Sequence, residues 1–223
     1  MHADPHRGSA TLVPLFSPRS AALVGAGPEF ARYGGRVFHF LKAFGFQGPV
    51  WPVNPKYTEI HGLPCFPSLS ALPGRPDHVG IVVAPERILS VLAECAALGV
   101  KAVTVFSAGF AETGKPEGVA LQEKLVDFVR RHGIRLMGPN CNGIINWQNR
   151  LSMGASATIL EPMGRPGTIG IVSQSGGLGQ VNVMWRAIRA GLGISYQASC
   201  GNEADVDVID VGLVAADCLV ADA

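Results

Sequence analysis

Two patterns of hydrophobic and polar residues alternate along this chain: short apolar runs, and segments in which apolar residues recur at helical spacing. Short β-branched runs predict strands that are buried on both faces. Between these runs, apolar residues recur at i, i+3, i+4 and i+7, which is the spacing of a helix with one buried face. Strands and helices in alternation predict an α/β fold with a doubly wound parallel sheet. The predicted strands are residues 21–25, 49–53, 79–84, 102–106 and 135–137.

Three amphipathic helices are predicted between these strands. The strands and helices together complete one domain at residues 12–146. Pro85 favours the start of the second helix, and Gly133 ends the third. The predicted buried faces are Val37, Phe40, Leu41 and Phe44 in the first helix, Ile88, Val91, Leu92 and Cys95 in the second, and Leu121, Leu125, Phe128 and Val129 in the third.

A turn-rich stretch leads into a second, smaller unit at 167–223. Gly, Asn, Ser and Pro are frequent before it, so we place a linker at 147–166. Strands are predicted at 168–173 and 194–199, and helices at 176–190 and 205–219, although the last segment begins with strand-like alternation. Two strands and two helices leave a sheet edge and face uncovered, so another chain or a longer polypeptide is expected to complete this unit. The residues predicted to point inward from its first helix are Leu178, Val181, Trp185 and Ile188.

The composition excludes several classes of function. The 223 residues include 18 Lys and Arg against 17 Asp and Glu, a net charge of +1. This charge gives no broad positive potential that would attract the phosphate backbone of a nucleic acid. Every apolar run is interrupted before the roughly 18 residues that a membrane span needs, and no signal peptide is recognisable. Five scattered cysteines without a C-x-x-C pair favour reduced thiols and no metal site. We expect a cytoplasmic protein without nucleic-acid or membrane partners.

The loop after the first strand has the composition of a phosphate-binding loop. Gly25 and Gly27 lie in it, and Gly34 and Gly35 precede the first helix. Glycines let backbone N–H groups and a helix N-terminus approach a pyrophosphate without interference from a Cβ atom. Phe30 departs from the G-x-G-x-x-G spacing, so the pattern leaves both a nucleotide loop and a purely structural turn open.

The residues after the second strand discriminate between nucleotide ligands. NAD enzymes place an acidic residue there for the ribose hydroxyls, whereas this chain has Asn54, Pro55 and Lys56. A cation in place of a carboxylate favours a ligand with an additional ribose phosphate, which is either CoA or NADP. The alternative is that Lys56 is a solvent-exposed loop lysine.

A third candidate site lies where a strand of the second unit turns into a helix. Ser175 is a predicted N-cap, and the N–H groups of Gly176 and Gly177 are expected to face a carboxylate or phosphoryl group. A nucleophile elbow needs glycine at position 173 and a histidine after the serine, but Ser173 stands there and the histidines end at His132. This order argues against a serine hydrolase and leaves anion binding or simple helix capping.

The turn after the fifth strand contains Asn140 and Cys141. The carboxyl ends of strands are where open α/β sheets bind ligands. Because no sequence feature identifies a partner that would stabilise a thiolate at Cys141, we predict a pocket-lining turn rather than a nucleophile.

Taken together, these elements resemble the NDP-forming acyl-CoA synthetases, a family that includes succinyl-CoA synthetase α subunits and ADP-forming acetyl-CoA synthetases. The resemblance implies a Rossmann-like CoA-binding domain followed by an incomplete flavodoxin-like ligase domain. It also implies reversible conversion of a carboxylic acid, CoA and NTP to acyl-CoA, NDP and phosphate, through an acyl phosphate and a phosphohistidine. The matching stretches are VGAGPEFARYGGRV, GPVWPVNPKYTEIHGLPCFPSL, KAVTVFSAGFAETG, GIRLMGPNCNGIIN, GTIGIVSQSGGLG and SCGNEADVD.

The resemblance also assigns roles to residues of this sequence. Ser175, Gly176 and Gly177 would stabilise a phosphate group, and Asn140 and Cys141 would lie toward the thiol end of CoA. The implied contacts of the CoA phosphates are Gly25, Gly27, Gly34, Gly35 and Arg36, those of the adenosine end are Asn54, Pro55 and Lys56, and those of the adjoining pocket are Ala84, Pro85, Ser107, Ala108 and Gly109.

One departure from the family concerns the phosphorylated histidine. The sequence has no histidine after His132, so no residue of this chain is assigned that role. ATP, ADP and Mg²⁺ would act through an ATP-grasp domain or subunit outside this chain, which is expected to be inactive alone and to associate into an oligomer. Two alternatives are a stand-alone CoA or nucleotide-binding module without catalysis and an NADP-dependent oxidoreductase.

Overall fold

The computed structural model describes residues 9–155 and 164–221. Residues 156–163 of the predicted linker and 222–223 of the predicted second unit lie outside the described residues. The helices are α1 (Ser9–Phe16), α2 (Tyr33–Ala43), α3 (Ile88–Leu98), α4 (Pro116–His132), α5 (Trp185–Arg189) and α6 (Val208–Ala221), with a π-helix at Gly177–Met184. The strands are β1 (Ala21–Val24), β2 (Val50–Val53), β3 (Glu59–Ile60), β4 (Leu63–Pro64), β5 (His78–Ile81), β6 (Ala102–Val105), β7 (Arg135–Met137), β8 (Gly143–Asn146), β9 (Leu151–Gly154), β10 (Pro166–Ser173) and β11 (Ile194–Ser199).

A five-stranded parallel sheet forms the first part of the molecule. Its order is β2-β1-β5-β6-β7, and β1 pairs with β2 on one side and with β5 on the other. The chain leaves β1 toward β2 and later returns to β5, so the strand order reverses at β1. Open α/β sheets bind ligands in the crevice at such a switch point. The predicted α/β fold with a parallel sheet is confirmed.

The helices on this sheet bury most of the positions that their periodicity predicts; in α4, Leu125 and Val129 are buried, whereas Leu121 and Phe128 are half-buried. In α2, Val37, Phe40 and Leu41 are buried, and α3 buries all four of its predicted positions. The third predicted helix ends at Gly133, which adopts the left-handed conformation at φ 60°. A β-carbon disfavours that conformation, so glycine terminates the helix without strain.

A second sheet of four strands lies in the order β10-β11-β8-β9. The β8–β9 hairpin, which the sequence pattern does not predict, pairs antiparallel with β11. Its strands have four residues each and are bounded by Gly143 and Gly154, a length at which periodicity carries little information. Strand β9 falls inside the range predicted as a linker, and the division of the chain into two domains stays a prediction.

The first helix of the second unit departs from its predicted face. Leu178 and Val181, predicted to point inward, are 60% and 43% exposed, whereas Ile188 is buried. Residues Gly177–Met184 form a π-helix, and its buried positions are Gly179, Gln180 and Met184. The wider i→i+5 turn changes which positions share a face, so a period of 3.6 assigns this segment wrongly.

The segment before α6 joins the two sheets. Its N–H groups at Ala204 and Val206 donate to the carbonyls of Gly138 and Leu136. The predicted helix therefore begins only at Val208, and residues 204–206 before it form bends that lie along β7. Arg135 of β7 forms buried ion pairs with Asp205 (2.9 Å) and Asp210 (3.1 Å).

Candidate ligand-binding site

A cavity of about 410 Å³ opens at the carboxyl ends of β1, β2 and β5, beside the switch point of the parallel sheet. Its volume is within the usual range for small-molecule and cofactor sites. It brings together eight of the residues that the sequence assigns to a cofactor. These are Gly25, Gly27, Gly34, Gly35, Asn54, Pro55, Lys56 and Ala84.

Gly25 and Gly27 lie in the loop after β1, whereas Gly34 and Gly35, predicted to precede the helix, lie in the first turn of α2. Each of the four positions is glycine for its own structural reason. A β-carbon at Gly25 would overlap the carbonyl of Val82, and Gly25 has a left-handed φ of 87°. At Gly34 and Gly35 a β-carbon would overlap backbone carbonyls of the preceding loop. At Gly27 a β-carbon would meet no atom within 4 Å. Close backbone packing therefore accounts for three of these glycines, and only Gly27 has open cavity beside it.

Asn54 connects the loops that follow β1 and β2. Its Nδ2 donates to the Ala26 carbonyl at 2.7 Å, and its Oδ1 accepts from the Lys56 backbone N–H at 3.0 Å. The side-chain amide is therefore engaged in shaping the cavity wall. The Lys56 ammonium is exposed, and within the described residues no carboxylate pairs with it.

Sequence reasoning missed several polar residues of this cavity. Arg32 precedes α2, where it pairs with Glu29 at 2.8 Å, and Arg87 and Ser90 lie at the start of α3. With Lys56, the two arginines give the cavity three cations. Glu94 also lines it, but its carboxylate accepts the Leu69 N–H at 3.0 Å. In the sequence each of these residues resembles an ordinary exposed surface position, so only the tertiary structure reveals them.

Five predicted cofactor residues are not part of the cavity lining. Ser107 donates to the Val83 carbonyl, and Gly109 packs against Pro85 so closely that a β-carbon would approach the proline ring within 2.8 Å. Ala108, between them, is exposed. Arg36 donates to the Ala31 carbonyl at 3.3 Å, which fixes the end of the glycine loop.

A second cavity, of about 280 Å³, lies at the start of the π-helix. Ser175 Oγ accepts the Leu178 N–H at 3.3 Å, which is the capping hydrogen bond expected of an N-cap serine. Among the described residues, the N–H groups of Gly176 and Gly177 have no hydrogen-bond acceptor. The lining contains no charged side chain; it consists of Asn140, Asn142, Gln174, Ser175, Gly176, Gly177 and Gly201.

Asn140 and Cys141 have separate environments. Asn140 lines the second cavity, and its Nδ2 donates to Asn202 Oδ1 at 3.3 Å. Cys141 is buried, and its Sγ donates to the Val105 carbonyl at 3.4 Å. Burial raises the pKa of the Cys141 thiol to about 12. A thiol that is protonated at neutral pH is a poor nucleophile, consistent with a structural role.

Residues 9–155 and 164–221 contain no group of three or more His, Cys, Asp or Glu side chains that could hold a metal ion. The same residues contain no helix with the length and hydropathy needed to cross a bilayer.

Comparison with family models matches both parts of the chain. Residues 19–147 match the model described as a CoA binding domain. Residues 166–218 match the model described as the succinyl-CoA ligase like flavodoxin domain.

Curated relatives cover most of this chain. It is 36% identical over 197 residues to the α subunit of the ADP-forming acetate–CoA ligase II of Pyrococcus furiosus, which covers 88% of this chain and 41% of the relative. It is 38% identical to the ADP-forming acetate–CoA ligase I of Archaeoglobus fulgidus, covering 88% of this chain and 27% of the relative. The chain thus spans less than half the length of these relatives.

A solved structure has the same fold over nearly the whole chain. The dinucleotide-forming acetyl-coenzyme A synthetase 1 of Candidatus Korarchaeum cryptofilum, in complex with phosphate and ADP, superposes with a TM-score of 0.82 at 34% identity. The match covers 90% of this chain and 41% of that one.

Proposed function

The chain belongs to the family of NDP-forming acyl-CoA synthetases, with the CoA binding domain of that family at residues 19–147, and on this premise we propose that it is the CoA-binding portion of such an enzyme. The proposed reaction converts a carboxylic acid, CoA and NTP reversibly to acyl-CoA, NDP and phosphate. The enzyme class is an acid–thiol ligase.

The observation that carries this proposal is the 410 Å³ cavity at the switch point. Its cations suit a ligand with several phosphates, because positive side chains and free backbone N–H groups stabilise such charge. The first turn of α2 lies beside Gly27, and Arg32, which precedes it, makes no side-chain capping hydrogen bond. We expect the CoA pyrophosphate at this turn, and the 3′-phosphate near Lys56.

The second cavity is the proposed site of the phosphate or acyl phosphate. The N–H groups of Gly176 and Gly177 supply donors at the positive end of the helix dipole. Asn140 forms part of this wall, and Cys141 lies behind it in the core. We expect the thiol end of CoA to approach this cavity.

The remaining chemistry belongs to parts outside this chain. We propose that ATP or ADP and Mg²⁺ bind an ATP-grasp domain or subunit, and that a phosphohistidine outside this sequence transfers the phosphoryl group. The α-subunit relatives support a partner subunit. We further propose assembly into an oligomer and a cytoplasmic location, where Cys65, Cys95, Cys141 and Cys200, which are free and buried, stay reduced.

Calorimetry with CoA and with NADPH tests this proposal against the oxidoreductase alternative. We expect the chain to bind CoA, and to bind NADPH at least tenfold more weakly, because residues 166–218 match a ligase domain rather than a nicotinamide site. Equal or tighter binding of NADPH would contradict the proposal. Binding of neither ligand by folded protein would contradict it as well.

A further inference from the structure

The side chain of Tyr33 extends from the first turn of α2 to Asn142, a lining residue of the second cavity. This residue begins α2, directly before Gly34 and Gly35 of the first cavity. Its hydroxyl lies 3.2 Å from Asn142 Oδ1 and 3.3 Å from the Cys141 carbonyl. Burial raises the pKa of the phenol, so the hydroxyl carries its proton and donates at neutral pH.

The hydrogen bond from Tyr33 determines which end of the Asn142 amide faces the second cavity. Because Oδ1 accepts from the phenol, Nδ2 is directed to the other side, beside Gly176. A β-carbon at Gly176 would overlap this amide group, so the two residues are in direct contact. Among the described residues Nδ2 has no acceptor. Because Asn142 lines the second cavity, this amide group is available to a ligand there.

The lining of the second cavity therefore includes three neutral donors without an acceptor among the described residues: the N–H groups of Gly176 and Gly177 and the amide of Asn142. Its lining contains no carboxylate, so no formal negative charge in the lining opposes an anion. Neutral donors fixed in advance stabilise an oxyanion without the flexibility of a lysine side chain.

We propose that Asn142 is a ligand-binding donor for the oxyanion of the second cavity, and that Tyr33 is its positioning residue. This inference rests on the proposed function, which assigns phosphate or acyl phosphate to that cavity. Tyr33 also links the donor to the first turn of α2, where CoA phosphates are expected. The ring of Tyr33 packs on Phe106 with centroids 5.7 Å apart, so removal of the hydroxyl alone leaves the packing in place.

Nuclear magnetic resonance of the ¹⁵N-labelled chain tests this inference directly. Inorganic phosphate is titrated at pH 7.5, with KCl keeping the ionic strength constant. The side-chain amide signal of Asn142 is identified by its loss in Asn142→Asp. We expect this signal and the backbone signals of Gly176 and Gly177 to shift together with one dissociation constant.

Two variants separate donation from packing. Tyr33→Phe should weaken phosphate binding about fivefold, the effect of one misplaced hydrogen bond, with little change in melting temperature. Asn142→Asp places a carboxylate in the cavity and should weaken phosphate binding at least tenfold. Thr58→Val removes an exposed hydroxyl that lines neither cavity and serves as the control, with phosphate binding unchanged.

The outcomes distinguish this inference from the proposed function. Shifts at Gly176 and Gly177 without a shift at Asn142, or phosphate binding that Tyr33→Phe leaves unchanged, would overturn the inference. A fall in melting temperature with unchanged phosphate affinity would reduce Tyr33 to a structural residue. If phosphate shifts none of these signals, the inference is also wrong. CoA titrated into the same sample then reports separately whether the proposed CoA site stands.

Discussion

Gly25 and Gly27 provide a matched pair of substitutions that separates folding from ligand binding. Gly25→Ala forces a β-carbon into left-handed backbone and against the Val82 carbonyl. The left-handed conformation costs about 1–2 kcal/mol for alanine, and overpacking of this kind about 1–3 kcal/mol. The combined loss of about 2–5 kcal/mol corresponds to a melting temperature about 4–20 °C lower in a chain of this size.

Gly27→Ala should have the opposite pattern. Its new methyl group meets no protein atom within 4 Å, so the loss of unfolded-state entropy should raise stability by about 0.4–1 kcal/mol. The methyl group enters the cavity where the pyrophosphate is expected, and CoA affinity should fall at least tenfold.

Scanning calorimetry and CoA titration of both variants check these expectations. Unchanged CoA affinity in Gly27→Ala would refute the reasoning that this glycine permits ligand approach. A melting temperature of Gly25→Ala equal to that of the wild type would refute the packing argument.

Three further predictions concern buried groups. Arg135→Met leaves Asp205 and Asp210 buried without a cation and should lower the free energy of unfolding by about 3–5 kcal/mol, measured by urea titration. Adding Asp205→Asn and Asp210→Asn to this variant removes the uncompensated charges and should restore part of the loss. If the triple variant is no more stable than Arg135→Met, charge is not the cause of the loss. Burial lowers the pKa of His78 to about 3, so below pH 6.5 the unfolded chain binds a proton that the folded chain does not. The free energy of unfolding should therefore fall by about 2 kcal/mol between pH 6.5 and 5. In urea titrations at the two pH values, His78→Gln, which does not titrate, should lose about 2 kcal/mol less than the wild type. Equal losses in the two proteins would exclude His78 as the source. Cys141, whose pKa is raised by burial, should resist alkylation by iodoacetamide in the folded protein at pH 8. Rapid alkylation of Cys141, detected by mass spectrometry, would contradict its burial.

The elements of the first sheet could be predicted because their information is local. Strand β7 has the predicted bounds, and α4 ends where Gly133 supplies the left-handed residue. The β8–β9 hairpin could not be predicted in this way. It exists because β8 pairs with β11, about fifty residues later, and two strands of four residues carry no periodicity that identifies them alone. The π-helix likewise could not be predicted. Leu178 and Val181 were expected to be buried on the basis of the 3.6-residue period of an α-helix, which a π-helix does not follow.

The site could be predicted where glycine or a cation follows a strand, since parallel strands bring those positions to one edge. Lys56 and Gly27 are examples. Arg87 could not be predicted, because it reaches the cavity only through the position of α3. Cys141 shows the reverse case. It is close in sequence to a cavity residue, but its side chain points into the core.

CoA and dephospho-CoA binding to the wild type and to Lys56→Met tests the central claim most directly. If the cavity holds CoA with its 3′-phosphate near Lys56, the wild type should prefer CoA about fivefold to tenfold, the contribution of one exposed charge-assisted hydrogen bond. Lys56→Met should lose that preference, while Lys124→Met, the same change on an exposed position of α4 outside the cavity, should keep it. Failure of the folded wild type to bind CoA would contradict the account, and an equal preference in Lys56→Met would contradict the assigned position of the 3′-phosphate.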